Sequence, residues 1–102
     1  MTRIIITGAK GRMGRALVAC APHHRDLELV AQIDLGDDLS AVIGRTDVVV
    51  DFSSHSATPA IAELCAKHKK AMIIGTTGHS ESERSKISNF KSQIPMVWSS
   101  NY

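Results

Sequence analysis

The sequence is poor in cysteine, which excludes a disulfide framework as the basis of its fold. Its two cysteines, Cys20 and Cys65, lie 45 positions apart and form no C-x-x-C pattern. Both fall on predicted apolar helix faces, so we expect reduced core thiols rather than a disulfide or a metal pair.

Long apolar runs are also missing. No stretch approaches the ~20 residues that a membrane span needs, and the first residues are typical of a strand rather than a signal sequence. We therefore expect a soluble, cytoplasmic protein with no membrane partner.

Aromatic residues are scarce, and neither sign of charge dominates. There are two phenylalanines, one tryptophan and one tyrosine, and the formal net charge is only +2. Nucleic-acid-binding surfaces need clustered positive charge and aromatic rings for base stacking. The one tight basic cluster, Lys67, Lys69 and Lys70, is interpreted as a solvated helix end, and no nucleic-acid partner is expected.

The sequence does have the composition of an ordinary globular domain. Hydrophobic residues make up 43% and charged residues 22% of the 102 positions. This length supports a modest core and one domain over residues 1–102, and it is too short for a two-domain enzyme.

The most informative stretch is a predicted strand, glycine-rich loop and helix over residues 4–21. Ile4–Ile6 predict a buried strand, after which glycine recurs every third position. Gly8 permits the turn, Gly11 allows a ligand to approach closely, and Gly14 lets the helix pack near the strand. The apolar face of that helix is predicted to consist of Met13, Ala16, Leu17, Cys20 and Ala21. Because free N–H groups at a helix start bind pyrophosphate, the stretch predicts a dinucleotide site; the alternative is an ordinary strand-to-helix turn.

An acidic residue stands where this motif requires one. Asp34 follows a second apolar run, residues 29–33, and comes 20 positions after Gly14. A carboxylate at that interval hydrogen-bonds the adenosine ribose of a bound dinucleotide. The alternative is an aspartate that caps the next turn.

The rest of the chain alternates between predicted strands and helices. Strands are expected over residues 48–52, 71–74 and 95–98, with helices beginning near Thr58 and Ser80 and a short helical turn before Gly44. Nearly continuous apolar strands that alternate with helices indicate a parallel sheet covered on both faces. The predicted fold class is therefore α/β, a doubly wound parallel sheet of the Rossmann-like dinucleotide-binding type, with ligands at the carboxyl ends of the strands.

The five histidines are interpreted as surface residues, and no metal site is predicted. His23 and His24 are adjacent and share no helix face with carboxylates at ligand spacing. His55, in the loop after the third strand, lies closest to the expected cofactor edge.

Four short motifs stand at the predicted strand exits. They are GAKGRMG, VDFS, IGTTG and SSNY, at residues 8–14, 50–53, 74–78 and 99–102. Together they resemble the 4-hydroxy-tetrahydrodipicolinate reductases of bacteria and plants, once called dihydrodipicolinate reductases. The resemblance covers essentially the whole chain, but only the N-terminal half of such a protein. It implies an NAD(P)H-dependent reductase of the diaminopimelate route to lysine, acting on a small cyclic dicarboxylate and homotetrameric when full-length.

The resemblance also implies which residues bind the cofactor. The glycine loop cradles the pyrophosphate, the acid holds the ribose, and two later segments flank the nicotinamide. These residues are Gly8, Ala9, Lys10, Gly11, Arg12, Met13, Asp34, Gly75, Thr76, Thr77, Ser99, Ser100, Asn101 and Tyr102. Thr77 is also implied to approach a substrate carboxylate. The family's catalytic residues and its substrate-binding, tetramerising domain are expected beyond residue 102, so no catalytic residue is assigned in this chain.

One departure from the family bears on the choice of cofactor. Members that favour NADPH often have arginine directly after the ribose acid, where this chain has Leu35. NADH is therefore expected to be favoured. NADPH stays possible because Lys10 and Arg12 lie in the nearby loop.

Two other functions stay open. The segment TGAKGRMG, residues 7–14, also fits the T-G-x-x-G-x-x-G pattern of extended short-chain-type oxidoreductases and epimerases, which need a tyrosine four residues before a lysine. The only tyrosine is Tyr102. The other alternative is a non-catalytic NADH-sensing module, against which the GTTG motif at residues 75–78 argues.

Overall fold

A computed structural model describes residues 2–34 and 37–98. It contains five strands, β1 (Thr2–Thr7), β2 (Leu27–Ile33), β3 (Val48–Asp51), β4 (Ala71–Ile74) and β5 (Met96–Trp98). It also contains three α-helices, α1 (Arg12–Cys20), α2 (Thr58–Lys67) and α3 (Glu81–Ser88). No helix within these described ranges is long and apolar enough to cross a membrane.

The five strands form one sheet in the order β2-β1-β3-β4-β5, and every neighbouring pair is parallel. The chain runs outward from β1 to β2, then returns to the other side of β1 to place β3. This reversal makes a switch point between the carboxyl ends of β1 and β3, where doubly wound folds bind their ligands. The predicted α/β class and parallel sheet are confirmed.

The larger core lies between the sheet and helices α2 and α3. From the sheet it takes Ile5, Val49, Met72 and Ile74; from the helices and their connections it takes Leu39, Ile43, Ala62, Cys65, Ile87 and Ile94. Every one of these side chains is buried. The apolar runs of the central strands were therefore correctly interpreted as strands with both faces covered. The burial predicted for Cys65 is confirmed, and loss of solvation raises the pKa of its thiol to about 12.

The opposite face of the sheet packs against α1 through a smaller cluster that includes Ile4, Ile6 and Val50. The predicted apolar face of α1 was wrong in part: Met13 is 56% exposed, and Cys20, expected in the core, is exposed as well. The buried or half-buried stripe is Gly14, Leu17, Val18 and Ala21. The helix is rotated by about one residue because it packs, at Gly14, directly against the backbone of Gly8 and Ala9, and apolar periodicity does not count a glycine.

The same face is left partly uncovered towards β5. Ile73 on β4 and Val97 on β5 lie next to each other in register, and Val97 is 58% exposed. Helix α1 covers the β1 and β3 side, so the expectation that both faces are covered holds for only part of this face within the described residues. Exposed apolar area of this kind marks a surface that another element or molecule can cover.

The remaining elements agree closely with their predicted positions. The capping box at the start of α3 is present: Glu83 N donates to Ser80 Oγ at 3.1 Å and Ser80 N donates to Glu83 Oε1 at 2.8 Å. Two short 3₁₀ turns, Leu39–Ala41 and Ile43–Arg45, take the place of a helix between β2 and β3. Gly44 lies inside the second turn rather than ending the first.

Candidate functional site

The glycine loop after β1 packs tightly against other backbone at two glycines, Gly8 and Gly14. Gly8 has a φ of +68°, and a Cβ there would lie 2.2 Å from the carbonyl oxygen of Phe52. A Cβ on Gly14 would lie 2.1 Å from the carbonyl oxygen of Gly8. Both contacts are with backbone, which cannot move aside as a side chain can. The loop is therefore as tight as the sequence predicts, and only glycine fits at these two positions.

The backbone amides of the loop divide into two groups. Ala9 N donates to Ile33 O at 3.2 Å, Lys10 N to Asp34 Oδ2 at 2.7 Å, and Gly11 N to Gly8 O at 3.0 Å. Hydrogen bonding of α1 begins only at Arg15 N, which donates to Gly11 O. The first three amides of the helix, on Arg12, Met13 and Gly14, have no acceptor among the described residues. Of these, the amides of Arg12 and Met13 belong to the residues predicted to bind the cofactor.

A cleft of about 620 Å³ opens at the switch point, beside the glycine loop. Its lining combines polar residues, such as Asp34 and Ser53, with apolar ones, such as Leu39, Phe52 and Ile61. Its lining residues are Thr7, Gly8, Lys10, Gly11, Ile33, Asp34, Asp37, Leu39, Phe52, Ser53, Ser54, Ala57 and Ile61. The size and the mixed lining are those of a site for one nucleotide-sized ligand. Phe52 and Ser53 belong to the VDFS motif that was predicted at a strand exit on the ligand side, whereas Ala57 and Ile61 of this lining were not predicted.

Asp34 lies at the end of β2, on the wall of this cleft. Its carboxylate accepts from Lys10 N, so the acid and the glycine loop are in direct contact. Asp34 also takes part in the turn that follows β2, since its backbone oxygen accepts from Asp37 N at 2.9 Å; Asp38 caps the 3₁₀ turn after that, where its Oδ1 accepts from Ser40 N at 3.1 Å. The structure therefore brings Asp34 to the place that the dinucleotide motif requires.

The segment Gly75–Thr77 follows β4 on the other side of β3. A Cβ on Gly75 would lie 2.2 Å from a ring carbon of Phe52, so the aromatic ring packs directly on the glycine backbone. Thr76 is buried, and its hydroxyl donates to Asp51 O and Asp51 Oδ2, each at 3.1 Å. Thr77 is exposed at the edge of the sheet. Thr76 therefore fixes the loop from inside, and Thr77 presents its side chain outward.

Asp51, the last residue of β3, joins these loops and was not recognised as a site residue from the sequence. It is fully buried. Its Oδ1 accepts from Thr7 Oγ1 at 2.6 Å and from Ser53 N at 3.1 Å. Its Oδ2 accepts from Thr58 Oγ1 at 2.7 Å as well as from Thr76. One carboxylate therefore links the exits of β1, β3 and β4 to the start of α2. The sequence signal that could have indicated its role was an aspartate at the end of a strand that otherwise consists of β-branched residues.

Two histidines lie near the exit of β4. His55 Nδ1 is 3.0 Å from Glu83 Oε1 and links the loop after β3 to α3. His79 packs edge-on against Trp98 with ring centroids 5.3 Å apart, and desolvation lowers the pKa of its imidazole. Among the described residues there is no group of three or more His, Cys, Asp or Glu side chains that could hold a metal ion.

Four residues of the predicted site, and the residue on which the cofactor preference was argued, lie outside the described ranges. They are Leu35, on which the cofactor preference was argued, and Ser99, Ser100, Asn101 and Tyr102, which were assigned to the nicotinamide side.

The fold and the site define a class of protein. A parallel doubly wound sheet, a glycine loop that opens a helix with available amides, and an acid at the end of β2 are the features of a dinucleotide-binding domain. Residues 2–102 match the family model described as dihydrodipicolinate reductase, N-terminus. The chain therefore belongs to the dihydrodipicolinate reductase family.

Individual relatives agree with this membership. The chain is 36% identical over 102 residues to the 4-hydroxy-tetrahydrodipicolinate reductase of Akkermansia muciniphila, covering all of this chain and 42% of the relative. It is 37% identical to that of Saccharophagus degradans, covering 99% of this chain and 46% of the relative. The chain thus spans less than half the length of these curated relatives.

Solved structures share the fold. A dipicolinate-bound dihydrodipicolinate reductase from Paenisporosarcina sp. TG-14 superposes with a TM-score of 0.82 at 20% identity, covering 99% of this chain and 48% of the other. A probable dehydrogenase from Thermotoga maritima gives a TM-score of 0.82 at 18% identity, covering 95% and 35%.

Proposed function

We propose that residues 1–102 form the NAD(P)H-binding domain of a reductase that converts 4-hydroxy-tetrahydrodipicolinate to tetrahydrodipicolinate in the diaminopimelate route to lysine. The observation that carries the proposal is the family match over residues 2–102, together with the glycine loop and cleft at the switch point. The family match favours this function over a short-chain-type oxidoreductase or epimerase. The activity test below distinguishes this reductase function from a module that only senses NADH.

The residues present fit a dinucleotide. The amides of Arg12 and Met13 are oriented by α1 and lack acceptors among the described residues, so they suit the pyrophosphate. Asp34 suits the ribose hydroxyls, and the apolar lining at Leu39 and Ile61 suits a flat adenine ring. When bound, NADH supplies the hydride for the reduction.

The nicotinamide half is proposed to lie along the exit of β4. Gly75, Thr76 and Thr77 would border it, with Ser99–Tyr102 as the further border carried over from the family resemblance. The buried hydroxyl of Thr76 holds this loop to Asp51. Thr77 is exposed, and we propose that it meets a substrate carboxylate. NADH is proposed as the favoured cofactor, with NADPH still able to bind.

The chemistry beyond cofactor binding is proposed to belong to a second domain of the full-length protein. Reduction of the ring substrate needs a proton donor and cationic groups for two carboxylates. This chain spans 42% and 46% of two reductase relatives, which leaves ample sequence for those groups. The full-length enzyme is proposed to be a homotetramer.

The first test is nucleotide binding. We expect the chain to bind NADH, and Gly11→Val to weaken binding roughly 10- to 100-fold by obstructing the approach of the pyrophosphate, a loss of about 1.5–3 kcal/mol. A Cβ at Gly11 would lie 3.3 Å from Gly8 O, a tight contact that a shift of a few tenths of an ångström relieves, so the fold should persist. Calorimetric titration measures the affinity, and Gly11→Ala should give an intermediate loss. Absence of saturation by wild type at millimolar NADH would refute the proposal.

The second test is activity. NADH oxidation is followed with enzymatically generated 4-hydroxy-tetrahydrodipicolinate, using this chain and the full-length protein side by side. We expect turnover by the full-length protein and none by the chain alone, because no proton donor for the substrate is assigned within residues 1–102. A full-length protein that binds NADH without turning over this substrate would favour the sensing module. Comparable turnover by both proteins would contradict the placement of the catalytic residues.

A further inference from the structure

A second carboxylate lies on the wall of the nucleotide cleft. Asp37 comes three positions after Asp34 and lines the same 620 Å³ cleft, together with Lys10 and Gly11 of the glycine loop. Asp37 is exposed to solvent, so its charge is not buried within the protein. The dinucleotide motif accounts for only one acid at this edge of the sheet.

The two aspartates are held together by reciprocal hydrogen bonds. Asp34 N donates to Asp37 Oδ2 at 2.8 Å, and Asp37 N donates to Asp34 O at 2.9 Å. Asp34 in turn accepts from Lys10 N through its own carboxylate. These bonds fix Asp37 relative to the position where Asp34 meets the ribose. The second acid is therefore a built part of the cleft wall.

We propose that Asp37 is a specificity-determining residue that, with Asp34, disfavours a dinucleotide carrying a 2′-phosphate. This inference rests on the proposed function, because it requires the adenosine ribose to lie beside Asp34. A 2′-phosphate adds close to two negative charges at that ribose, and two carboxylates then oppose it instead of one. Lys10, in the same cleft, acts in the opposite direction, so the preference depends on both signs of charge.

The choice of substitution separates charge from geometry. Asp37→Asn removes the charge but keeps an oxygen that can accept from Asp34 N. The matched control is Asp38→Asn, the same change one position further along. Asp38 does not line the cleft and caps the turn at Leu39–Ala41, a role that asparagine performs as well as aspartate.

The experiment measures dissociation constants of NADH and NADPH for the full-length protein by fluorescence titration. We expect Asp37→Asn to lower the ratio of the NADPH constant to the NADH constant by roughly three- to sixfold at low salt, mainly through tighter NADPH binding. Asp38→Asn should change the ratio by less than about twofold. Added salt should shrink the effect of Asp37→Asn, because screening weakens the repulsion of exposed charges.

Three outcomes would overturn the inference. An unchanged ratio in Asp37→Asn would show that Asp37 does not face the 2′-position. Equal changes in Asp37→Asn and Asp38→Asn would show a general charge effect rather than a position in the cleft. Equal weakening of both nucleotides in Asp37→Asn would make it a structural turn residue only. In each case wild type still binds NADH, whereas failure of wild type to bind either nucleotide defeats the proposed function itself, and this inference with it.

Discussion

Replacing Gly14 with alanine is expected to lower the free energy of unfolding by about 3 kcal/mol, near the upper end for overpacking by one methyl group. The new Cβ would lie 2.1 Å from Gly8 O and 2.8 Å from Ala9 Cα. Both atoms are backbone, and Gly8 is itself held against the carbonyl of Phe52. Relief of the contact therefore requires the start of α1 to move away from the end of β1.

The same displacement is expected to weaken NADH binding. It moves the amides of Arg12 and Met13 away from the position proposed for the pyrophosphate, and the loss of one such bond to a charged group corresponds to about 1.5–3 kcal/mol, or roughly 10- to 100-fold in affinity. Unlike Gly11→Val, which is expected to affect binding alone, Gly14→Ala should affect stability and binding together. Comparing the two variants therefore shows whether weaker binding comes from obstruction of the ligand or from displacement of the helix.

The matched control is Gly44→Ala. Gly44 lies in the 3₁₀ turn Ile43–Arg45, and nothing approaches within 4 Å of the position of its Cβ. Alanine there should be neutral or stabilising by about 0.5–1 kcal/mol, through the lower entropy of the unfolded chain. Urea denaturation followed by circular dichroism gives both values. Equal stability of Gly14→Ala and wild type would mean that α1 does not rest on the loop as described.

The parts of the fold that were predicted correctly are those that local sequence determines. Val48–Asp51 and Ala71–Ile74 are short apolar runs bounded by polar turns, so their burial on both faces was evident from composition. The capping box at Ser80 likewise depends only on residues three apart. The glycine loop has its own spacing signature, and its order relative to strand and helix was sufficient to predict a tight turn and a helix that begins near residue 12.

The errors concern contacts between segments distant in sequence. The rotation of α1 is set by the contact of Gly14 with the loop of residues 8 and 9, which outweighs the apolar pattern that begins at Met13. The apolar lining of the cleft at Ala57 and Ile61 depends on β3 lying beside β1, and no local pattern reports that neighbour. Apolar periodicity shows which face of a helix is apolar. It does not show which backbone segment packs against that face.

Asp51 is the clearest case of a residue whose role only tertiary structure reveals. A carboxylate in a buried strand is costly unless its oxygens accept hydrogen bonds. Its donors come from residues 7, 53, 58 and 76, and three of these belong to other elements of the fold. The sequence showed an acid at a strand end, which is ordinary at the ligand edge of this fold. It did not show that the side chain turns inward.

Asp51→Ala is expected to destabilise the chain by about 3–5 kcal/mol, because it leaves buried donors without an acceptor. The hydroxyls of Thr58 and Thr76 have alternative carbonyl acceptors, Ser54 O at 3.3 Å and Ser53 O at 3.5 Å. The buried hydroxyl of Thr7 and the amide of Ser53 have Asp51 as their acceptor in the described structure. These two donors and the space left by the carboxylate account for the expected loss.

Asp51→Asn should be much milder, at about 1 kcal/mol. Its carbonyl oxygen can still accept from Thr7 and Ser53, while its amide donates to the hydroxyls of Thr58 and Thr76, which turn to the neighbouring carbonyls. Urea denaturation of both variants is compared with Asp47→Ala, which removes an exposed aspartate paired with Arg3 and should cost far less than Asp51→Ala. If Asp51→Asn proves as damaging as Asp51→Ala, the negative charge itself stabilises the strand exits, and the account based on acceptor geometry is wrong. If Asp51→Ala is as stable as wild type, Asp51 does not hold the loops of β1 and β4 together.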